Sequence, residues 1–490
     1  MKLRSTESCK KTKPMITFLI CLALLVGAYF GYGAYLDRVC KINEKAAVPS
    51  ATLYDGVDYI PMPRWRTFLI QLLNIAGIGP IFGAVMGACF GPVVFLWITL
   101  GGIFVGAMHD YLSGIILLRN DGLSLPEIVG RYLGGGMRQF MRALSLVLLI
   151  LVGVVFMRSP ASILGGMITD IPYWGWIAII LVYYFIATML PIDKLIGKIY
   201  PLFGGALIFM SAGLAVVLIK GDYTIPNLTF ETLRNYQPNP DAMPIIPTLF
   251  ITVACGAISG FHATQSPLMA RCMNNEREGR MIFYGSMITE SIIALIWAAI
   301  GMAFFHGPDS LVAALAEHGN DAAWAVGTIS NTTLGAVGGF IALFGVVAAA
   351  ITSGDTAFRS ARLIVADVLK FEQRTLWKRF AIACPLFLIG IVLLFVDFDV
   401  IWRYFAWTNQ AMSVVTLWVI VVYLKKYKRN IWVALPPAML MTYICTSFVF
   451  ISGQFIGMAN HTLAYILAGA VTLLLSAAMW MKVLKEAKQE

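Results

Sequence analysis

Asn74–Pro92 reads NIAGIGPIFGAVMGACFGP. It is apolar and long enough to cross a membrane, yet Gly77, Gly79 and Pro80 stand near its start. Proline removes a backbone donor and glycine loosens a helix, so an unbroken helix is not expected here. Lipid offers freed backbone groups no hydrogen bonds. A break at this depth is tolerated only where it faces protein or a water-filled cavity. Such discontinuous helices are how secondary transporters build substrate and ion sites. A simple kink, or a hairpin between two spans, is the other reading.

The rest of the chain places this run in a membrane. Of 490 residues, 59% are hydrophobic and 13% charged, with a mean hydropathy of +0.79. Soluble domains carry about 25% charged residues. The expectation is an all-α polytopic membrane protein of about thirteen transmembrane helices. They fall near 15–36, 67–88, 91–118, 139–157, 173–190, 199–219, 244–268, 282–305, 334–357, 380–396, 400–423, 431–451 and 462–481. The longest loops, 37–66, 220–243 and 306–333, leave no room for a separate soluble domain. No G-x-x-x-x-G-K-[ST] occurs, so nucleotide-driven pumping is excluded and active transport would draw on a gradient.

The net charge of +10 is spread over short loops, which argues against nucleic acid as a partner and reads as a topology signal. Basic loops hold Arg119, Arg131, Arg138 and Arg142; Lys194 and Lys198; Arg271, Arg277 and Arg280; Arg359, Arg362, Lys370, Arg374, Lys378 and Arg379; and Lys425, Lys426, Lys428 and Arg429. Lys482, Lys485 and Lys488 end the chain, while His306–Thr333 has no lysine or arginine. This alternation puts the basic loops and the C-terminus in the cytoplasm. With thirteen spans the N-terminus falls outside, against the sign of Lys2, Arg4, Lys10, Lys11 and Lys13. The first apolar run is longer than a signal peptide's and no small-residue cleavage site follows it. The eight cysteines are scattered without a C-x-x-C pair and read as small buried hydrophobes, not as a disulfide or metal framework.

Polar residues inside spans mark pathways. His109 and Asp110 lie in GGIFVGAMHDYLSGIILL, either as a structural pair or as a proton relay. A second break is expected in CGAISGFHATQSPLMAR (Cys255–Arg271), where Gly256, Gly260 and Pro267 weaken the helix among Ser259, His262, Thr264, Gln265 and Ser266. Two breaks about five spans apart are what an inverted-repeat transporter shows. The substrate-binding candidates are therefore Gly77, Gly79, Pro80, Ser259, Gly260, His262 and Gln265. A third cluster, ITSGDTAFRSAR (Ile351–Arg362), follows the small-residue run Gly345–Ala350. Its Thr352, Ser353 and Thr356 offer hydroxyls to a sodium ion, and Asp355 offers a carboxylate to a cation or proton. Arg359 lies one turn on and is expected to pair with Asp355. Glu290 is the remaining acidic candidate within a span. The coupling candidates are thus Asp110, Thr352, Ser353, Asp355, Thr356, His109 and Glu290. No cofactor is expected beyond a proton or sodium as coupling ion.

DGVDYIP (Asp55–Pro61), AGIGPIFG (Ala76–Gly83), HDYLSG with RNDGLSLPEIVGRYLG (His109–Gly134), FHATQSPLMAR and ITSGDTAFRSAR together resemble the carbon starvation protein A family of bacterial inner-membrane transporters. The resemblance runs from about residue 50 to 370. It implies import of small carbon compounds, peptides or proton-coupled pyruvate, in response to starvation. It also implies kinship with the amino acid–polyamine–organocation superfamily and its LeuT-like five-plus-five inverted repeat. The repeats would be 67–219 and 244–423, with 15–36 an extra N-terminal helix and 431–481 two C-terminal helices. On that mapping both breaks fall on the first helix of a repeat, and Thr352–Thr356 falls where relatives form a sodium site. Longer members extend beyond this chain, which is expected to lack an N-terminal helix and a C-terminal portion. They carry Gln-Asp at His109–Asp110, so Asp110 inherits more support than His109.

The expected function is secondary import of pyruvate, amino acids or short peptides by alternating access. The partners are a small-molecule substrate and membrane lipid. A membrane enzyme is disfavoured, because neither H-E-x-x-H nor a serine-nucleophile motif occurs. A nutrient-sensing transceptor signalling to a partner protein is the alternative. Substrate, coupling ion and oligomeric state stay open at this point.

Overall fold

The computed structural model describes residues 15–486 apart from 57, 190–191, 222 and 372–374. The basic residues Lys2, Arg4, Lys10, Lys11 and Lys13 lie outside the described residues, as do Arg374, Lys488 and the side chains of Lys194, Lys198 and Lys485.

The described chain is helical, with no strand. In order it comprises α1 (Ile16–Cys40), α2 (Arg64–Ile75), α3 (Gly79–Ala88), α4 (Val94–Leu118), α5 (Leu125–Leu133), α6 (Gly135–Met167), α7 (Tyr173–Met189) and α8 (Ile192–Lys220). The short α9 (residues 245–252) follows, then α10 (Gly260–Ala270), α11 (Glu276–Phe304), α12 (Pro308–Glu317) and α13 (Ala322–Leu369). Last come α14 (Leu376–Leu393), α15 (Phe398–Lys426), α16 (Leu435–Ile451) and α17 (His461–Glu486).

Ten of these helices are long and apolar enough to cross a membrane, and eleven if the bent pair α2–α3 counts as one span. The other two of the thirteen expected segments are not among these spans. Helix α7 is apolar and has 17 described residues. The segment 244–268, read from sequence as a span, is interrupted between α9 and α10. Other boundaries move outward. The span expected at 139–157 extends over the 33 residues of α6, and the one at 334–357 belongs to α13, which kinks at Gly335 (φ 68°).

Burial separates the helices into an inner and an outer set. The apolar windows of α4 and α11 are almost wholly buried, as befits helices packed on all sides. Helices α1, α14 and α17 expose Ile16, Phe30, Leu388, Val392, Ile466, Leu473 and Leu474. Apolar side chains on the outside and polar ones inside make sense only in lipid. Helix α6 packs along α13, which also carries α8, while α15 lies against α6 and α10. At the centre are the two interrupted segments, α2–α3 and α9–α10.

Candidate functional site

The first break begins where α2 ends at Ile75. Ala76 leaves helical geometry (φ −84°, ψ 54°), and the chain bends by 57° before α3. Pro80 opens α3, whose first turn, Gly79–Gly83, has the wide π geometry common at functional sites. The second break spans residues 253–259, between α9 and α10. Gly256 adopts φ +91°, a conformation that side-chain-bearing residues rarely take, and Ser259 is extended just ahead of α10.

Freed backbone groups at such a depth need partners, and side chains from three neighbouring helices supply them. Trp97 Nε1 on α4 donates to the Val253 carbonyl at 3.1 Å. Glu290 Oε1 on α11 accepts from the Gly256 amide at 3.2 Å. Asn409 Oδ1 on α15 accepts from the Phe261 amide at 2.7 Å and from Ser259 Oγ at 3.0 Å. Gln410 Nε2 donates to the Phe250 carbonyl at 3.1 Å.

The two breaks touch. A Cβ added to Gly79 would lie 2.3 Å from Cys255 Sγ, and one added to Gly83 would lie 3.0 Å from the Thr252 carbonyl. The sequence-predicted Gly79 and Pro80 thus meet the second break directly. Gly77 meets Phe156 and Ser353, and Gly260 fits against the Asn409 carbonyl and the Ser413 amide.

A buried ionisable network adjoins this crossing. Asp110 Oδ2 is 2.7 Å from His262 Nδ1, and its Oδ1 is 2.8 Å from His109 Nδ1. His262 Nε2 is 3.4 Å from Glu290 Oε2, in ion-pair range but without hydrogen-bond geometry. All four side chains are fully buried. The structure therefore joins His109 and Asp110 to the second break across 152 residues of sequence.

The α13 cluster lies apart from that network. Asp355 accepts from Tyr200 at 2.7 Å and from Tyr183 at 3.0 Å. This corrects the expected Asp355–Arg359 pair, since Arg359 turns toward the Ala187 carbonyl at 2.5 Å. Thr352 and Thr356 donate into their own helix at 3.0 Å each. Ser353 Oγ reaches the Leu73 carbonyl of α2 at 2.8 Å, just before the first break. These three hydroxyls keep lone pairs that a sodium ion could use. Gln265 donates to Thr264 Oγ1 at 2.9 Å and leaves its own oxygen without a partner.

Trp97, Gln410, Asn409, Tyr183 and Tyr200 escaped sequence reading. Asn409 carried a usable signal, because it is a polar residue within an apolar run of α15. Tyr183 and Tyr200 carried none, since tyrosines are ordinary in membrane helices. Gln71 and Asn74 on α2 are fully buried and their amides have no partner among the described residues.

At the end of α4, Arg119 grips Glu276 through Nε at 2.7 Å and Nη2 at 2.8 Å, and donates to Tyr423 at 2.9 Å and to the Cys40 carbonyl at 3.1 Å. Burial pulls the guanidinium pKa down, but the Glu276 and Tyr423 bonds outweigh it and leave it above its ordinary value. Four chain segments are tied there at one charge.

Comparison with known proteins follows the same lines. The carbon starvation protein CstA family model matches residues 13–167 and 160–335. An uncharacterised membrane protein of Haemophilus influenzae is 44% identical over 350 residues, covering 61% of this chain and 94% of that protein. The peptide transporter CstA of Campylobacter jejuni is 27% identical and covers 58% of this chain. The pyruvate/proton symporter BtsT of Escherichia coli is 28% identical and covers 55%. The chain spans about half the length of these two transporters, 49% and 46%. These named relatives are transporters, not enzymes. Among solved structures, a mutant manganese transporter of Eremococcus coleocola superposes with a TM-score of 0.55 at 11% identity, over 89% of this chain and 99% of that one. MhsT in complex with L-phenylalanine superposes with a TM-score of 0.53 at 14% identity, over 86% and 99%. At such identities the likeness speaks for the fold, which is the LeuT-like inverted repeat with discontinuous helices. This chain is a multi-pass membrane protein of the carbon starvation protein CstA family.

Proposed function

We propose that this protein is a secondary active importer of a small carbon or nitrogen nutrient, pyruvate or a short peptide or amino acid, working by alternating access. The observation that carries the reading is the contact between two interrupted helices, enclosed by helices that satisfy their freed backbone. Half-helix ends expose amides and carbonyls where a polar solute must cross. The repeats are taken as 67–219 and 244–423, the membrane as the bacterial inner membrane, and the C-terminus as cytoplasmic.

The coupling ion is proposed to be a proton and its carrier Asp355. This carboxylate is buried on α13, bound by two tyrosine hydroxyls, and lies two residues beyond the Ser353–Leu73 bond that ties α13 to α2. Gaining or losing a charge in such surroundings shifts the balance between conformations. Separation of α2 from α13 must break the Ser353–Leu73 bond. A sodium ion at Thr352, Ser353 and Thr356 is the competing choice.

Purified protein in proteoliposomes tests this. Uptake of labelled pyruvate and of a dipeptide is followed under an imposed proton gradient, then under a sodium gradient at equal pH. Proton-driven accumulation of either supports the importer. Accumulation driven only by sodium transfers coupling to the hydroxyl cluster. No uptake of either, with the protein correctly inserted, would refute import of this substrate class and favour a nutrient sensor.

A further inference from the structure

Cys255, His262 and Glu290 bring sulfur, nitrogen and oxygen ligand atoms within 4.8 Å of one another. Cys255 and His262 flank the second break, and Glu290 faces them from α11. All three are buried. His262 Nε2 and Glu290 Oε2 face each other at 3.4 Å without a hydrogen bond between them or to any other described group, although full burial makes an unmade hydrogen bond costly. The other imidazole nitrogen is occupied, with Nδ1 2.7 Å from an Asp110 oxygen. A carboxylate on one ring nitrogen fixes the tautomer and turns the second lone pair outward. That is the usual support behind a metal-binding histidine. Asp110 is itself steadied by His109 at 2.8 Å.

From this arrangement we infer that Cys255 Sγ, His262 Nε2 and Glu290 Oε2 form a binding site for a late first-row divalent cation of the zinc or cobalt type. The donor set is the argument for that class. Thiolate with imidazole and a carboxylate suits borderline-soft ions and is poor for magnesium or calcium, which take oxygen ligands. Thiolate and carboxylate together balance the two charges of the cation, and the thiol proton leaves to the medium on ligation. Adjacent ligands of a tetrahedral zinc lie roughly 3.5 Å apart, given bonds of about 2.0–2.3 Å. The present spacing, within 4.8 Å, exceeds that by at most about 1.3 Å. Three protein ligands leave the fourth position open. The cysteines read from sequence as inert hydrophobes thus acquire one exception. Such an ion would pin the second break to α11, beside the place where Gly79 of the first break rests on Cys255.

The test uses the purified full-length protein in detergent and needs no transport. Cobalt chloride is titrated in while thiolate-to-cobalt charge-transfer absorption is recorded, with zinc as competitor and magnesium as control. One cobalt per chain is expected, displaced by zinc and not by magnesium. The signal should vanish in Cys255→Ser, whose thermal midpoint shows whether it is folded. In Asp110→Asn the affinity should fall about 10- to 100-fold, the usual cost of losing the partner behind a ligand, and in Glu290→Gln, which loses a charged ligand, by at least as much. Zinc should also raise the wild-type thermal midpoint, which serves if a variant does not fold. Absence of the absorption in wild type, or its survival in folded Cys255→Ser, would overturn the site. Either result leaves the import reading untouched, because that reading invokes none of these three ligands for coupling.

Discussion

Asn409 serves two donors at the second break. One side-chain oxygen accepts from Phe261 N and Ser259 Oγ, and both donors are buried. Replacing it with leucine leaves two donors unmet at about 1–3 kcal/mol each. Asn409→Leu should therefore lower the thermal midpoint of purified protein clearly, while Asn409→Asp, which keeps the acceptor, should lower it less. Asp355 gives the second prediction. Asp355→Asn should insert normally yet lose gradient-driven accumulation, keeping exchange of substrate down its own gradient. Tyr200→Phe removes one donor and should weaken accumulation roughly tenfold, about 1.4 kcal/mol. Full accumulation by Asp355→Asn would remove it from coupling. At this scale the sequence was partly legible. Asp110, His262 and Glu290 stood out as ionisable groups in apolar runs. Their meeting did not, because nothing local to residue 110 says that residue 262 will face it. Asp355 was legible as a candidate, and its tyrosine partners were not, since they come from other helices.

Among the elements, the contact between α3 and the second break is so close that side-chain size there is constrained from both sides. Gly79→Ala would press a methyl group to 2.3 Å from Cys255 Sγ and 2.4 Å from its Cβ. It should fold poorly or not transport, and adding Cys255→Gly should restore part of what was lost. Gly327→Ala, with nothing within 4 Å, should be neutral by thermal midpoint and uptake. A neutral Gly79→Ala would mean that the breaks do not rest on each other as described. Both breaks were readable because glycine and proline are strong local punctuation. Helix lengths were less so. The sequence pattern ended the fourth span at 157, but α6 continues through Pro160 to Met167, because packing along α13 holds a helix that local preference would end. The short α9 was merged with α10 for the opposite reason. Hydropathy does not fall at Cys255–Ser259, although the backbone there is not helical.

For the whole molecule, the distribution of charge makes a prediction about sidedness. Asp309 lies at the start of α12 in a stretch without lysine or arginine and is 70% exposed at its side chain. In cells carrying Asp309→Cys, a membrane-impermeant thiol reagent should label from outside, whereas a C-terminal tag should be reached only after the membrane is opened. The reverse pattern would invert the assigned topology. The crossing itself has a larger consequence. Gly79 against Cys255 and Gly83 against the Thr252 carbonyl bring the two breaks together so closely that neither glycine has room for a Cβ. Beside α10, between Ser124, Thr264 and Ser360, the cavity measures about 20 Å³, room for about one water molecule. Anything that crosses must first part the two breaks, and the space so made fills with solvent. Opening is then a hydration event, and its free energy carries the work of drawing water in from bulk. Transport should accordingly slow as osmotic pressure is raised with a large inert sugar polymer on both faces, with a slope that counts the waters admitted per opening.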